Sequence, residues 1–226
     1  MGHRGTSALV AAALAVTVTG CGVLGGDAGD GAAGSDGAGS DAVESHTSID
    51  PALLECGSPD EEAPSRQLDD IVLTTATWEM PEGFAETFKY SEDMPVEHIE
   101  SFWAAEPATD PVDLNVLAVV VYSDLDWGAD IDECGRVAEA TMDERLASYR
   151  EEGDAEPLTE IESLEIAGLP ALQQDLSLPE YSYRGYWVFS RSQLIHLYCQ
   201  WTSDAEKDRV LTGCDALVSS LTVPGA

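Results

Sequence analysis

The chain has 226 residues and carries 43 acidic against 10 basic side chains, a formal net charge of −33. No basic stripe interrupts that surplus, so binding to a phosphate backbone is excluded as a function. The charge favours cationic partners, loosely held divalent ions or high-salt surroundings, and the simplest account is a solvated surface shaped by habitat.

At the start of the chain, Arg4 precedes an uncharged apolar run over residues 8–18. Crossing a hydrocarbon core takes about 20 apolar residues, so the run reads as the h-region of an export signal spanning residues 1–20. It closes on Val18-Thr19-Gly20-Cys21, which resembles the bacterial lipobox. Small residues give a peptidase access to the bond after Gly20, and the Cys21 thiol is the group that a diacylglyceryl donor alkylates. An ordinary signal peptide with a chance cysteine is the bland alternative. Palmitate-type chains contribute about 0.8 kcal/mol per buried methylene, so two of them on Cys21 anchor a protein stably. The expected location is the extracytoplasmic face of the cell membrane, with the membrane itself a partner through lipidated Cys21.

Residues 21–48 are the lipidated cysteine and a tether built almost wholly of Gly, Ala, Ser and Asp. Such a composition cannot bury enough apolar surface to offset the entropy of ordering. Its root-mean-square reach is about 30 Å and its full extension about 90 Å. Gly29-Asp30-Gly31-Ala32-Ala33-Gly34 matches the dinucleotide fingerprint in letters, but no strand or helix flanks it, so no nucleotide site is read there.

Residues 49–226 are long enough for a single domain with a substantial core. Beyond Cys21 the cysteines are Cys56, Cys134, Cys199 and Cys214. In an oxidising compartment an even number argues for two disulfides. Of the three possible pairings we favour Cys199–Cys214 with Cys56–Cys134, because the first staples a strand to the helix after it. No CxxC or nearby histidine pair suggests zinc.

In chain order, the β-branched stretch 71–78 predicts a strand, followed by a Pro/Gly turn and a short second strand over 87–91. Val96, Ile99 and Trp103 have helical spacing, and residues 95–105 are predicted as a helix. A buried strand over 116–122 leads to a long helix over 130–149, with Asp130 and Glu133 at capping-box spacing. The last third reads as strands over 163–166 and 172–178, a hairpin of 182–190 with 194–201, and a closing amphipathic helix over 204–221. Antiparallel strands with helices around them define an α+β class.

This order of elements resembles the PsbP-like fold, in particular the LpqN-like lipoproteins of actinobacterial envelopes. The residues that carry it are Trp78-x-x-Pro81-x-Gly83-Phe84, Gly168-Leu169-Pro170-Ala171 and Ser220-Leu221-Thr222-Val223. What the resemblance implies is an antiparallel sheet between flanking helices (a PsbP-like α/β/α sandwich) in a non-enzymatic adaptor or binding module. The four-cysteine framework has no counterpart that we can map onto that family.

No GxSxG, SxxK or HExxH motif occurs, so no catalytic residues, cofactor or enzymatic activity are expected. Asp124, Asp126, Asp130 and Asp132 place oxygen ligands at alternating positions and form a weak calcium candidate. The EF-hand spacing fails there, and acidic residues at a helix start have an ordinary role against the macrodipole. The candidate ligand surface is aromatic: Tyr181, Tyr183, Tyr186 and Trp187 around Gly185, where a bulge is expected, with His196 beside Tyr198 on one strand face. Buried, these rings are simply core; exposed, they contact a peptide, glycan or lipid. The expected partner is an envelope protein or, alternatively, a small apolar ligand or lipid carried by the domain, with an envelope hydrolase third. A deep cavity favours the carrier and a flat aromatic patch the adaptor.

Overall fold

A computed structural model of the chain describes residues 64–226. The export signal, Cys21, the tether and Cys56 lie outside the described residues. The strands are β1 (Ser65–Gln67), β2 (Phe84–Glu86), β3 (His98–Pro107), β4 (Val116–Ser123), β5 (Arg136–Ala138), β6 (Glu156–Pro157), β7 (Glu162–Ile166), β8 (Leu169–Ser177), β9 (Ser182–Phe189) and β10 (Leu194–Trp201). Two helices, α1 (Glu139–Glu152) and α2 (Asp204–Ser220), complete the order.

One antiparallel sheet runs β2-β3-β4-β10-β9-β8-β6, with β7 also on β8, and β1 pairs with β5 in a separate two-stranded ribbon. Every residue of β4 is buried, which suits a central strand covered on both faces. Alternation along β10 divides the core in two. Ile195, Leu197, Cys199 and Trp201 face α2, where Val210, Cys214 and Leu217 meet them. Leu194 faces the α1 side, which gathers Met142, Leu146, Tyr149, Trp187 and Phe189. The architecture is an α/β/α sandwich of α+β class, as expected.

The Cys199–Cys214 disulfide is present, with Cα atoms 5.8 Å apart, and ties α2 to the strand before it. Cys134 is also disulfide-bonded. Phe84 lies against α2 at Gly213, where a Cβ would overlap its ring. In the β7–β8 hairpin Ala167 and Gly168 both take positive φ (52° and 80°), the requirement of a two-residue type I′ turn.

Four elements depart from the sequence prediction, each for an identifiable reason. Residues 71–78 form a 3-10 turn at Leu73–Thr75, with only Thr77 bridging to Thr222. The Thr75 hydroxyl donates back to the Val72 carbonyl at 2.7 Å, which offers the backbone an alternative to a ladder. The second strand comes earlier than 87–91, at β2, directly after the Pro81–Gly83 turn. Residues 95–105 are not helical, since β3 occupies most of that stretch. Its register shifts between Ile99 and Ser101, and the extra residue puts Ile99 and Phe102 on one face. Ile99 and Trp103, four apart and read as one helical face, therefore lie on opposite faces of the sheet. The helix predicted from residue 130 begins only at Glu139, because Gly135 (φ 80°) turns the chain into β5 first. Asp132 is committed to that turn: its carboxylate accepts from the Cys134 and Arg136 amides at 2.9 and 2.8 Å and from Arg136 Nε at 2.8 Å.

Candidate functional site

On the α1 face of the sheet a cavity of about 80 Å³ opens between four parts of the fold. At the roughly 30 Å³ that each water occupies in the liquid, this is room for about three water-sized groups. Its floor is sheet. Tyr183 of β9 and His196 and Tyr198 of β10 project there because β-strand side chains alternate and these share one parity. Tyr122 reaches it from the end of β4, whose register sets it opposite Leu194. One wall is the carboxyl end of α1, with Tyr149 and Gly153. Another is the loop after β2, with Glu92, Met94 and Val96, and Tyr181 closes the side from the turn between β8 and β9.

The rings are mutually packed. Tyr183 lies 6.1 Å from His196 and 5.9 Å from Tyr198, both edge-on, and 6.5 Å from Tyr181. Beneath them, Trp187 stacks on His196 at 4.8 Å with planes 12° apart. Gly185 makes this floor possible: a Cβ there would overlap the Trp187 ring. Pairing through Gly185 is continuous, opposite Tyr198 on β10 and Gln174 on β8, so the expected bulge does not exist. The glycine serves a close approach of a ring rather than a redirection of the strand.

Burial governs the titration of the site. His196 is 9% exposed and its Nε2 has no hydrogen-bond partner among protein atoms. With desolvation unopposed, its pKa falls to about 3, so the ring is neutral at neutral pH. Burial also pushes Tyr122, Tyr149, Tyr181, Tyr183 and Tyr198 upward, which keeps their hydroxyls protonated. The Glu92 carboxyl is raised by burial, against the Met94 amide and the Tyr198 hydroxyl, which favour its charged form. Tyr149 is fixed from outside the cavity: its hydroxyl donates to Glu97 at 2.6 Å, and Arg145 bridges both.

Of the sequence candidates, the structure brings Tyr181, Tyr183 and His196 together on the cavity. Trp187 supports it from below at 2% exposure. Tyr186 points to the opposite face and packs in the core against α2. Tyr122, Tyr149 and Glu92 were not anticipated. Tyr122 was within reach, since it shares the face of His196 once β4 is paired with β10; nothing local marks Tyr149 or Glu92. The four aspartates of the acidic loop do not gather: Asp126 accepts from the Gly128 amide and Asp132 holds the β5 turn. Among the described residues no group of three or more His, Cys, Asp or Glu is placed to hold a metal ion.

The site thus defines a class: an α+β sandwich with a small aromatic cavity, whose lining among the described residues contains no serine, threonine, cysteine or lysine. Neither a protein-family model nor a curated protein matches the chain. Among solved structures it is similar to cyanobacterial PsbP (CyanoP) from Synechocystis sp. PCC 6803, with 13% identity over 74% of this chain and 96% of that one, at a TM-score of 0.45. It is also similar to LpqN, involved in cell envelope biogenesis of Mycobacterium tuberculosis, with 10% identity over 66% of this chain and 83% of that one, at a TM-score of 0.40.

Proposed function

We propose that this chain is a lipid-anchored extracytoplasmic binding protein, without enzymatic activity, that holds a small ligand in its aromatic cavity. The observation that carries the reading is the convergence of Tyr181, Tyr183, Tyr198 and His196 on one partly open cavity rather than on a flat surface. A flat aromatic patch would have supported a protein adaptor; here Trp187 and Tyr186 are buried on opposite faces of the sheet. The volume of about 80 Å³ suits a head group of a few heavy atoms and not a whole acyl chain, so the lipid-carrier reading is disfavoured. His196 Nε2 also makes no hydrogen bond to a carboxylate, and no serine, threonine or cysteine is among the described residues that line its cavity, which supports binding over hydrolysis.

The address rests on the lipobox-like Val18-Thr19-Gly20-Cys21 and on cysteines suited to an oxidising compartment. No helix among the described residues is long and apolar enough to cross a membrane. A fragment screen by ligand-observed NMR, run on the wild type and on an Ala155→Phe variant that fills the cavity rim, tests the binding reading. Hits that compete with one another and vanish in the variant support it. A screen in which no compound distinguishes the two proteins refutes it.

A further inference from the structure

Resting on that ligand-binding reading, we propose that the ligand is a small organic cation with a quaternary or fully alkylated ammonium head, caged by the cavity tyrosines with Glu92 as counter-charge. Aromatic faces carry the negative lobe of a quadrupole, and a cation within about 6 Å of a ring centroid is attracted to it, more so when desolvated. Five tyrosines from separate parts of the fold line this one small space, with His196 beside them. An apolar ligand requires rings but no charge. Among the described residues this cavity has one formally charged lining side chain, Glu92, and neither lysine nor arginine lines it.

Two further features carry the same sign. The carboxyl end of α1, with Gly153 at its cap, forms part of the wall, and the carbonyls of a helix end bear partial negative charge. A wider groove of about 440 Å³ adjoins the cavity through Val96 and Tyr149, and Asp130, Glu144 and Glu152 line it. Its one cation, Arg145, is tied to Glu97 at 2.7 Å and sits 4.3 Å from the Trp127 ring centroid, the same cation–ring chemistry next door. An acid-lined approach concentrates cations at the entrance. An inorganic divalent ion fits less well, because it requires several oxygen ligands and only one carboxylate lines the cavity. Alkylated nitrogen spreads its charge over methyl groups, sheds water cheaply, and matches an enclosure of rings with a single carboxylate.

The test uses full-length protein in mild detergent and two probes by titration calorimetry: choline chloride and 3,3-dimethylbutan-1-ol, its neutral carbon isostere. The expected result is choline binding at least about tenfold tighter than the isostere, about 1.4 kcal/mol. Glu92→Gln, with circular dichroism confirming the fold, should remove most of that preference while leaving the isostere unchanged. Tyr183→Leu, which keeps apolar volume but loses a ring, should weaken choline more than the isostere. Equal affinities for both probes would overturn the cation proposal and leave the ligand-binding reading standing. Choline binding indifferent to Glu92→Gln would overturn it as well. If neither probe binds at tens of millimolar, the proposal fails, and the fragment screen on wild type and Ala155→Phe decides separately whether the broader reading falls with it.

Discussion

His196 should make the fold acid-sensitive in a way one substitution can remove. In the unfolded chain its pKa is about 6.5, and in the native protein burial lowers it to about 3. Between those values the unfolded state holds the extra proton, so stability rises with pH and is lost as pH falls through the window. From pH 7 to pH 4.5 the loss from this residue works out at about 2.5 kcal/mol, a sizeable part of a typical 5–15 kcal/mol. The groups facing the ring are Trp187 and Tyr183 from β9, Tyr198 beside it, Tyr122, Tyr149 and Tyr181 around the cavity, and Glu92 across it. The tyrosines stay neutral throughout, so Glu92 is the one group that alters the slope. His196→Phe preserves a ring on Trp187 and deletes an unpartnered buried nitrogen, so it should be no less stable at pH 7. Urea denaturation of wild type and variant at pH 7, 6, 5 and 4.5 should show the wild type losing about 2.5 kcal/mol more than the variant over that range. Repeating the pair in a Glu92→Gln background isolates the imidazole. Parallel loss in wild type and variant would refute the shielding of His196.

Three further variants probe the frame around the site. Gly185→Ala drives a methyl into the Trp187 ring, which should cost about 1–3 kcal/mol and disturb the near-ultraviolet dichroism of the stacked tryptophan; an unperturbed spectrum would mean the ring does not lie across the glycine. Replacing both Cys199 and Cys214 by Ala opens a loop with a sequence separation of 15 and should cost about 3 kcal/mol in chemical denaturation. Arg184→Met strips the partner from Asp175, which is 5% exposed and bound to Arg184 at 2.7 and 3.1 Å. With Arg184 partly solvated, the expected loss is about 2 kcal/mol, below the 3–5 kcal/mol of a fully buried pair, and denaturation at neutral pH measures it.

The strands β4, β9 and β10 and the helix α2 were legible because their signals are local. β4 is a near-continuous apolar run rich in valine, β10 alternates, and the disulfide joins neighbouring elements, so period and spacing placed them within a residue or two. The N-terminal part of the described chain was not, because tertiary demands override local pattern there. β3 completes the edge of a buried strand, and its bulge rewrites the period that a reader depends on. Thr75 and Asp132 spend their side chains on turns that propensity does not record.

The site divides along the same line. Residues of β9 and β10 could be assigned to a face from parity alone, which is why Tyr183 and His196 were found and why Tyr198 was named beside them. Tyr149, Tyr122 and Glu92 arrive from elements whose mutual placement depends on long-range pairing. Gly185 shows why the remaining reading went astray: a glycine in a strand is compatible with a bulge or with a close approach, and only the partner atom decides. Here the partner is Trp187, two residues on and on the same face, whose ring lies back across the glycine and meets His196. The bulge would have aimed aromatic side chains outward for a protein partner. The approach turns them into the floor of a cavity, and that one difference moves the functional reading from adaptor to ligand-binding protein.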